Sequence, residues 1–591
     1  MENNSRNLGD ILAKNYFTIP NYQRAYAWDA EQLNIFMDDL KNYRSFSFQE
    51  KPYFLGTFLF SVDLRHHSFT NYFIVDGQQR LTTSILYVAC LLRFLNKRSI
   101  ETSKWKELFI GDRSCRRLKA IEPDNAFFDQ YALEGNLNCK AETPSQKKLQ
   151  KAIQVIETRL SEMDSATPTE ELVKDIETLQ KARILTYTVN SEAEATQIFE
   201  FQNDRGKKLT DLEVIKSFLM HSVYVYCEDA RRTEGILGIL QNNFTKIYRT
   251  LESMADLAGR LNEDAILSHH ITSYLPNLRF NGDKDGASHP KEFIKYLLSK
   301  KENNNERIKW IENFSENLEN TFNIVKDILL YRDEYEDLGA LFVLDRVSLF
   351  WPLLIKTWHL DSNIEKNNFK QVVKLCARFA FRSAISGLRS NTGVEHLRRE
   401  ANHLHTKDFS DLIKNLTEMC ETWWDIGTKF LRGLDERNIY HSRNQVKFLL
   451  WKYENYLRAR NGRHAQHALT WRDMTEKNGN LQMTVDHILP QNPSDPNERT
   501  MLEREISLRA GEKPQSFRNL YLHCLGNLVL DTRGGNSSNG CRRFSQKTDD
   551  SRYGFMQSQA ELKSFSTNIE IWDEVSITNR QEKLKEFAMK I

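Results

Sequence analysis

The sequence lacks several features that would assign the protein to a familiar class. It has eight cysteines but no Cys-x-x-Cys pair, so we expect reduced thiols and no zinc ribbon. It contains no apolar run of about 18 residues, which argues against a membrane-spanning helix. Residues 1–6 include no apolar signal core, so we expect a cytoplasmic protein that is not exported. The phosphate-binding motif G-x-x-x-x-G-K-[ST] is also missing.

The composition is that of a globular protein with several domains. The 591 residues are too many for one core and predict about three or four domains. A net charge of +2 does not by itself indicate a nucleic-acid binder. The best local candidates for DNA contact are Arg378, Arg382 and Arg389, which have no acidic residue between them. A solvated helix face is the alternative for this cluster.

The order of patterns along the chain predicts a multidomain α+β fold that is predominantly helical. Residues 1–220 mix strand-like and helical patterns. Residues 221–457 have helical periodicity almost throughout, and their aromatic positions are interpreted as core packing. Residues 458–591 begin with a polar stretch and contain shorter strand-like and helical runs. The strands predicted within the first region are residues 53–62, 72–75 and 184–189.

The first candidate site follows the short apolar run at residues 72–75, which is typical of a buried strand. The residues that come next are Asp76, Gly77, Gln78, Gln79 and Arg80, and a helical pattern begins at once. A glycine turn before a helix brings main-chain N–H groups to the positive helix end, which favours a phosphate. Arg80 adds a bidentate phosphate donor, and Asp76 is suited to a metal-bound water or a ribose hydroxyl. A capped turn without a ligand is the alternative.

Two further segments contain residues suited to bind a nucleotide. Gln23 and Arg24 lie in the aromatic-rich run at residues 19–28, which either stacks a base or packs the domain. Asn203 and Lys207 lie in a polar, glycine-containing turn that precedes a predicted capping box. An exposed basic turn is the alternative for this last segment.

The second candidate site combines two strand-like runs near the end of the chain. Asp486 and His487 end the first run, and Asn527 lies in the second. Asn536 then opens a predicted helix that contains Lys547. An acid, amide oxygens and a histidine are the groups that hold a hard metal ion and deprotonate an attacking water. The pattern predicts a metal-dependent site for phosphodiester cleavage, and a surface Asp-His pair is the alternative.

His523 lies close to this set in the sequence but is interpreted as a packed or exposed histidine. No Cys or His pair accompanies it, so we do not expect it to be a zinc ligand. The same interpretation applies to His403 and His405. A helix is predicted at residues 497–510, in the long interval between the two strand-like runs.

Both sets of motifs resemble those of one known family. The order I-P-x-Y-Q-R-x-Y-x-W, D-G-Q-Q-R and N-D-R-G-x-x-L-T, over residues 8–220, resembles the N-terminal domain of GmrSD-type Type IV restriction enzymes. The run D-H-I-x-P-Q, followed by L-G-N-L and N-x-x-N-x-x-x-x-F-x-x-K, is similar to their C-terminal nuclease domain. The resemblance implies a ParB/sulfiredoxin-like NTPase domain at residues 1–220 and an HNH (His-Me finger, ββα-metal) nuclease domain at residues 458–591.

The resemblance assigns a role to each residue of the C-terminal set. His487 is the implied general base, and Asp486 and Asn536 are the implied ligands of Mg²⁺ or another divalent cation. Asn527 matches the middle asparagine, which is expected to fix the His487 ring through a hydrogen bond. Lys547 is expected to contact the cleaved phosphate or to cap its helix.

The resemblance also assigns nucleotide binding to the N-terminal motifs. The D-G-Q-Q-R residues 76–80 carry over directly, whereas Gln23 and Arg24 match the family pattern more loosely. The nucleotide is expected to be an NTP whose base the sequence leaves open. One departure from the family pattern is Cys541, where members often have an asparagine, so the secondary contacts of that helix are in doubt.

The function implied is a nucleotide-dependent, modification-sensing DNA endonuclease of a bacterial anti-phage defence system. NTP hydrolysis in the first domain would be coupled to cleavage in the last, with residues 221–457 linking the two. The expected partners are DNA, above all modified phage DNA, and an NTP, with no membrane. A homo-oligomer or partner proteins of the defence system are compatible with this function. The alternatives are a nucleotide-switched DNA-binding protein with a structural C-terminal domain and an RNA-cleaving abortive-infection toxin.

Overall fold

The protein is described by a computed structural model that covers most of the chain. The described residues are 4–20, 23–45, 52–63, 71–162, 168–189, 210–227, 229–259, 261–276, 278–460, 468–475, 483–506, 514–549, 556–566 and 571–591. They form two compact units, Met1–Ser268 with Asn277–Asn323, and His269–Pro276 with Ile324–Ile591. The fold is multidomain and predominantly helical, as predicted. The predicted functional boundaries after residues 220 and 457 differ from these units and stay predictions.

A mixed six-stranded sheet organises the first unit, in the order β1-β8-β3-β4-β2-β7. The strands of this unit are β1 (Asn4–Asn7), β2 (Tyr16–Thr18), β3 (Phe54–Asp63), β4 (Asn71–Asp76), β5 (Gly111–Asp112), β6 (Cys115–Arg116), β7 (Leu118–Lys119), β8 (Arg183–Val189), β9 (Arg279–Phe280) and β10 (Lys284–Asp285). β4 pairs antiparallel with β3 and parallel with β2. The three predicted strands correspond to β3, β4 and β8 and are confirmed.

Helices surround this sheet and continue along the chain. Up to residue 331 they are Leu8–Lys14, Ala30–Ser45, Gln78–Lys97, Ser103–Phe109, Glu122–Phe127, Pro144–Glu162, Thr169–Lys181, Asp211–Tyr226, Ala230–Ser253, Ala255–Ala258, Glu263–Tyr274, Pro290–Ser299 and Asn304–Tyr331. The predicted capping box is confirmed, because Thr210 Oγ1 accepts from the Glu213 N–H and the Glu213 carboxylate accepts from the Thr210 N–H.

The Gln78–Lys97 helix is the centre of the first unit's core. Every residue from Leu81 to Leu92 is buried, because small and apolar side chains cover all sides of the helix. Its first turn follows β4 directly, so the packing of the helix fixes the turn that carries the first candidate site. The predicted strand, glycine turn and helix are thus observed in that order.

The second unit is mainly helical and carries the second candidate site near its end. Its helices after residue 331 are Glu336–Val343, Trp351–Leu360, Asn367–Ile385, Val394–His403, Ser410–Glu421, Ile426–Leu434, Arg443–Arg460, Trp471–Met474, Pro496–Glu503, Phe517–Tyr521, Arg533–Asn539, Phe544–Asp549, Gln557–Ala560, Leu562–Phe565 and Glu574–Lys590. Its strands are β11 (Met483–His487), β12 (Glu505–Ile506), β13 (Gln515–Ser516) and β14 (Leu528–Thr532).

Two predicted helices of this region differ from those observed. The helix predicted at 497–510 ends at Glu503, and β12 follows it. The single helix predicted to run from Asn536 to Lys547 is two helices, because Gly540 follows the first with a positive φ of 38°. Lys547 therefore belongs to a separate helix that is free to lie at a different angle. In the described part of the chain, no helix is long and apolar enough to span a membrane.

Buried histidines in the second unit predict a loss of stability in acid. Burial lowers the pKa of His270 to about 3 and that of His269 to about 4, from an ordinary value of 6.5. Between pH 6.5 and these values the unfolded chain binds protons that the folded chain does not, so stability falls as the pH falls. We expect His270→Phe to reduce the fall in melting temperature between pH 6.5 and 4, as measured by circular dichroism. The same change at the exposed His405 should leave the pH dependence unaltered, and a His270→Phe profile equal to wild type would contradict the prediction.

Candidate active site

The end of β11 brings the acid and the histidine of the predicted nuclease site into a buried corner. β11 runs antiparallel to β14, with Asp486 opposite Val529 and His487 opposite Leu528. Asp486 is 6% exposed and His487 is 4% exposed. The Asp486 carboxylate accepts a hydrogen bond from the His487 main-chain N–H at 2.7 Å. Both polar side chains are therefore held away from bulk water.

Lys547 is the charged partner of this acid, and it is completely buried. Its ammonium donates to Asp486 Oδ2 at 3.3 Å and to the His487 carbonyl at 2.6 Å. Burial raises the pKa of Asp486, and the Lys547 charge opposes that rise. In the structure the donors of Lys547 compensate a buried carboxylate and do not cap its helix, and its contact with the cleaved phosphate stays a prediction.

Both nitrogens of the His487 ring have partners. His487 Nε2 lies 3.0 Å from His523 Nδ1, and Gln491 Nε2 lies 3.3 Å from His487 Nδ1. Tyr440 lies against the ring, with the two ring centroids 4.5 Å apart. Burial, more than the positive groups nearby, lowers the pKa of His487 to about 3. The ring is therefore neutral at neutral pH, which is the form that accepts a proton from water.

Asn527 does not orient the His487 ring, contrary to the prediction. Its side chain is fully buried, and its Oδ1 accepts from the Leu489 N–H at 2.8 Å. Its Nδ2 donates to the Leu489 carbonyl at 3.1 Å and to the Leu522 carbonyl at 2.8 Å. These bonds satisfy buried main-chain groups of the turn after β11, which are expensive to leave unpaired. Asn527 therefore fixes the shape of that turn.

The predicted metal ligands offer oxygen atoms above one face of β11. Thr484 and Asp486 lie on the same side of the strand, because side chains alternate. Asn536 Nδ2 donates to Thr484 Oγ1 at 3.1 Å and to the Val485 carbonyl at 3.4 Å, which leaves Oδ1 to act as a ligand. The part of the chain that is described holds no group of three or more His, Cys, Asp or Glu side chains suited to a metal. A carboxylate and an amide oxygen fit Mg²⁺, which keeps several waters and needs few protein ligands.

The predicted nucleotide site lies where β4 meets the Gln78–Lys97 helix. Gly77 has φ of +92°, and a Cβ added there would lie 2.4 Å from the Phe58 ring, so glycine is required for two reasons. The N-cap residue is Gly77, which provides no side-chain cap for this helix. Main-chain N–H groups at the positive end of a helix that starts in this way favour an anion.

Three glutamines tie this turn to the aromatic-rich segment. Each glutamine bonds main-chain groups through its side-chain amide. Gln79 Oε1 accepts from the Ala27 N–H at 2.9 Å, and Gln79 Nε2 donates to the Ala25 carbonyl at 3.2 Å. Gln78 Nε2 donates to the Arg24 carbonyl at 3.2 Å, and Gln23 Nε2 donates to the Val75 carbonyl at 3.1 Å. One acceptor is left over, since Gln78 Oε1 is buried and has no hydrogen-bond partner among the described residues. The glutamines therefore join the two motif segments, and one buried oxygen lacks a partner among the described residues.

Arg80 lies along β3. Its Nη2 donates to the Thr57 carbonyl at 2.8 Å and lies 3.7 Å from Asp76 Oδ2, and its guanidinium lies over the Phe58 ring at 5.2 Å. Burial raises the pKa of Asp76, and Arg80 opposes that rise. Arg80 therefore joins β3 to the turn and holds a positive charge beside the start of the helix.

Gly56 in β3 makes room for this arginine, which gives a testable prediction. Gly56 has φ of +116°, and a Cβ there would lie 1.8 Å from Arg80 Nη1. Gly56→Ala is therefore expected to lower the free energy of unfolding by about 1–3 kcal/mol through backbone strain, with further loss as Arg80 is displaced. The control is Gly235→Ala in the exposed part of a helix, where an added Cβ meets nothing within 4 Å. This change is expected to raise the free energy of unfolding by about 0.5–1 kcal/mol. Denaturant titrations in which the two variants change stability equally would contradict this.

A cavity of about 240 Å³ lies beside the aromatic-rich segment in the first unit. The polar residues that line it include Arg24, Tyr26, Lys148, Tyr248, Arg249 and Glu252. The Tyr248 hydroxyl is buried and has no hydrogen-bond partner among the residues described. Burial lowers the pKa of Lys148. Cations, aromatic rings and a buried hydroxyl are groups that suit a nucleotide.

Comparison with known protein families connects the two sites. Residues 8–220 match the GmrSD restriction endonuclease N-terminal domain, and residues 425–587 match the GmrSD restriction endonuclease C-terminal domain. The chain belongs to the GmrSD restriction endonuclease family. Membership in it indicates a Type IV restriction endonuclease, which is a nuclease that acts on DNA. A comparison with curated proteins found no match.

The GmrSD matches also bear on the extent of the two regions. The N-terminal match ends at residue 220, where the first region was predicted to end. The C-terminal match begins at residue 425, earlier than the predicted 458, and so includes Tyr440, whose ring lies against His487. The match to the family's C-terminal domain therefore includes a turn that the sequence prediction had assigned to the helical middle.

Two of the three arginines predicted to contact DNA are used inside the fold of this GmrSD protein. Arg378 Nε donates to the Ile591 carbonyl at 2.6 Å. Arg382 donates to the Met589 carbonyl at 3.1 Å and is 6% exposed. In the structure both side chains hold the end of the C-terminal helix, and their contact with DNA stays a prediction. Arg389 is exposed and stays a candidate.

Two residues of the candidate site were not predicted from sequence. Tyr440 gave no signal, because it meets His487 only through the tertiary fold. His523 was interpreted as a packed or exposed histidine, and its closeness to the L-G-N-L motif was the one available signal. In the N-terminal region, Asn203 and Lys207 lie outside the described residues, so their assignment stays a prediction.

Proposed function

We propose that this GmrSD enzyme is a nucleotide-dependent, modification-sensing DNA endonuclease of a bacterial anti-phage defence system. The observation that carries the proposal is a buried His487 beside Asp486 at the end of β11, which pairs antiparallel with β14, and β14 is followed by a helix. This arrangement supports an HNH (ββα-metal) site, in which His487 takes a proton from the water that attacks the phosphodiester.

A divalent cation, most suitably Mg²⁺, is part of the proposal. Asp486 and Asn536 would hold it through oxygen atoms, and when bound it supplies a Lewis acid that stabilises the charge developing on the phosphate. Lys547 favours the ionised form of Asp486, which is the form that binds a cation. Lys547 and Asn527 also hold the main chain on either side of the His487 ring, which limits how far the base can move.

NTP binding and hydrolysis are proposed for the D-G-Q-Q-R turn, in a domain of ParB/sulfiredoxin-like fold. Support comes from the uncapped start of the Gln78–Lys97 helix, which favours phosphate, and from the unpaired Gln78 Oε1 within the described residues. The cavity beside Arg24 adds aromatic and cationic groups on the neighbouring segment. The nucleotide would therefore meet both motif segments that the glutamines join.

The burial of His487 supports control of cleavage by the nucleotide. A water and a phosphodiester must reach a ring that is 4% exposed and lies against Tyr440. We infer that the site opens when the enzyme has bound modified DNA and an NTP. Residues 221–457 would link the two domains, and Arg389 is the remaining basic candidate for DNA contact there.

The proposal is tested by cleavage of DNA with the purified full-length enzyme. Phage DNAs that carry different base or backbone modifications, and their unmodified counterparts, are incubated with Mg²⁺ or with EDTA and with each NTP in turn. We expect cleavage of modified DNA that requires Mg²⁺ and an NTP. DNA binding without cleavage under every condition would favour a nucleotide-switched DNA-binding protein. Degradation of RNA but not of DNA would favour an RNA-cleaving toxin.

A further inference from the structure

We propose that His523 is a positioning residue that sets the orientation and the tautomer of the His487 ring. The proposal rests on the proposed nuclease function, since it concerns how the base of that reaction is held. Its starting point is the 3.0 Å separation between His523 Nδ1 and His487 Nε2, which is hydrogen-bond distance. A bond between two neutral imidazoles needs one ring to donate and the other to accept, so it couples the tautomers of the two rings.

His523 is itself held in place by a second segment of the chain. Tyr440 stacks on the His523 ring, with centroids 5.7 Å apart and planes at 15°. The Tyr440 N–H also donates to the His523 carbonyl at 3.3 Å. The guanidinium of Arg443 lies over the Tyr440 ring at 4.9 Å. A ring fixed by stacking and by a main-chain bond is a suitable support for the base, because its own position is set by packing.

The other nitrogen of His487 is the one suited to receive the proton. Gln491 Nε2 donates to His487 Nδ1 at 3.3 Å, so Nδ1 carries the lone pair and Nε2 carries the hydrogen that is donated to His523. Gln491 is exposed, so a water can replace its amide at Nδ1 without disturbing the core. By accepting that hydrogen at its own Nδ1, His523 holds the His487 tautomer in which Nδ1 is the basic atom.

His523 also fills a role that the sequence had assigned to another residue. Asn527 was expected to orient the ring, but its amide is used by the main chain of Leu489 and Leu522. A base needs an orienting partner in order to present one defined nitrogen to the water. In this chain the described residue that contacts Nε2 is His523.

The test compares two substitutions that keep different parts of His523. His523→Asn retains a polar atom near the position of Nδ1 but loses the ring, whereas His523→Phe retains the ring that stacks on Tyr440 but loses the nitrogen. We expect His523→Phe to lower kcat for DNA cleavage about 10–100-fold with little change in KM. We expect His523→Asn to stay within a few-fold of wild type.

The outcome separates positioning from packing. A His523→Phe enzyme with wild-type kcat would overturn the proposal, and so would a His523→Asn enzyme as slow as His523→Phe. Thermal melting verifies that each variant folds, and His523→Leu replaces His523→Phe if the latter does not. The proposed function is judged separately, because it requires that wild type cleaves and His487→Ala does not, whatever His523 does.

Discussion

Replacing His487 with alanine is expected to lower the rate of DNA cleavage by about 10²–10⁴-fold, the usual contribution of a general base. The imidazole is neutral and is held by partners on both nitrogens, so the substitution removes the proton acceptor without adding a charge. Cleavage is measured as the conversion of supercoiled DNA to nicked and linear forms, in the presence of Mg²⁺ and the nucleotide that supports wild-type activity.

The control for this substitution is His405→Ala, which removes an exposed histidine of the same unit. His405→Ala should cleave like wild type. DNA binding by His487→Ala should also be unchanged in a mobility-shift assay, because the ring is 4% exposed and contributes little surface. If His487→Ala cleaved within a few-fold of wild type, the base would have to be a different residue.

Lys547→Met is expected to cost about 3–5 kcal/mol of stability, because it leaves the buried Asp486 carboxylate without its counter-charge. Methionine is similar to lysine in length and apolar, so the loss reports the charge and not a cavity. The measurement is the free energy of unfolding from a denaturant titration monitored by tryptophan fluorescence, to which Trp572, buried in the same core as Phe544, contributes. Lys414→Met, on an exposed helix face, is the matched control and should change stability little.

A double variant sharpens this prediction. Asp486→Asn removes the carboxylate that Lys547→Met leaves unpaired, so the double variant should be more stable than Lys547→Met alone. The double variant should still be less stable than wild type, because it lacks the hydrogen bond that Lys547 donates to the His487 carbonyl. A Lys547→Met protein as stable as wild type would mean that the ion pair is not needed to keep this corner folded.

The parts of the fold that were predicted correctly depend on local sequence. β4, the Gly77 turn and the Gln78–Lys97 helix follow one another within a few residues, and each has a local signal in an apolar run, a glycine or a helical period. The positions of Asp486 and His487 at the end of β11 were predictable for the same reason.

The contacts that could not be predicted involve residues whose partners are distant in the sequence or belong to the main chain. Lysine is usually found at the surface, but the break at Gly540 places the helix of Lys547 against Asp486. Arg378 and Arg382 belong to a basic cluster, and the C-terminal helix that takes their donors is about two hundred residues away. The L-G-N-L motif indicates that the amide of its asparagine is needed. It does not indicate whether that amide binds a histidine ring or the main chain of a turn, and in this structure Asn527 binds the turn.

We propose that a nucleotide site at residues 76–80 controls a nuclease site at His487. To test this control, NTP hydrolysis and DNA cleavage are measured in the same reactions for wild type, Gln78→Ala and His487→Ala, with the exposed Gln154→Ala as a control. We expect His487→Ala to hydrolyse NTP like wild type and not to cleave DNA, whereas Gln78→Ala should lose both activities while remaining folded. A folded Gln78→Ala enzyme that cleaves DNA at the wild-type rate without hydrolysing NTP would contradict this proposal.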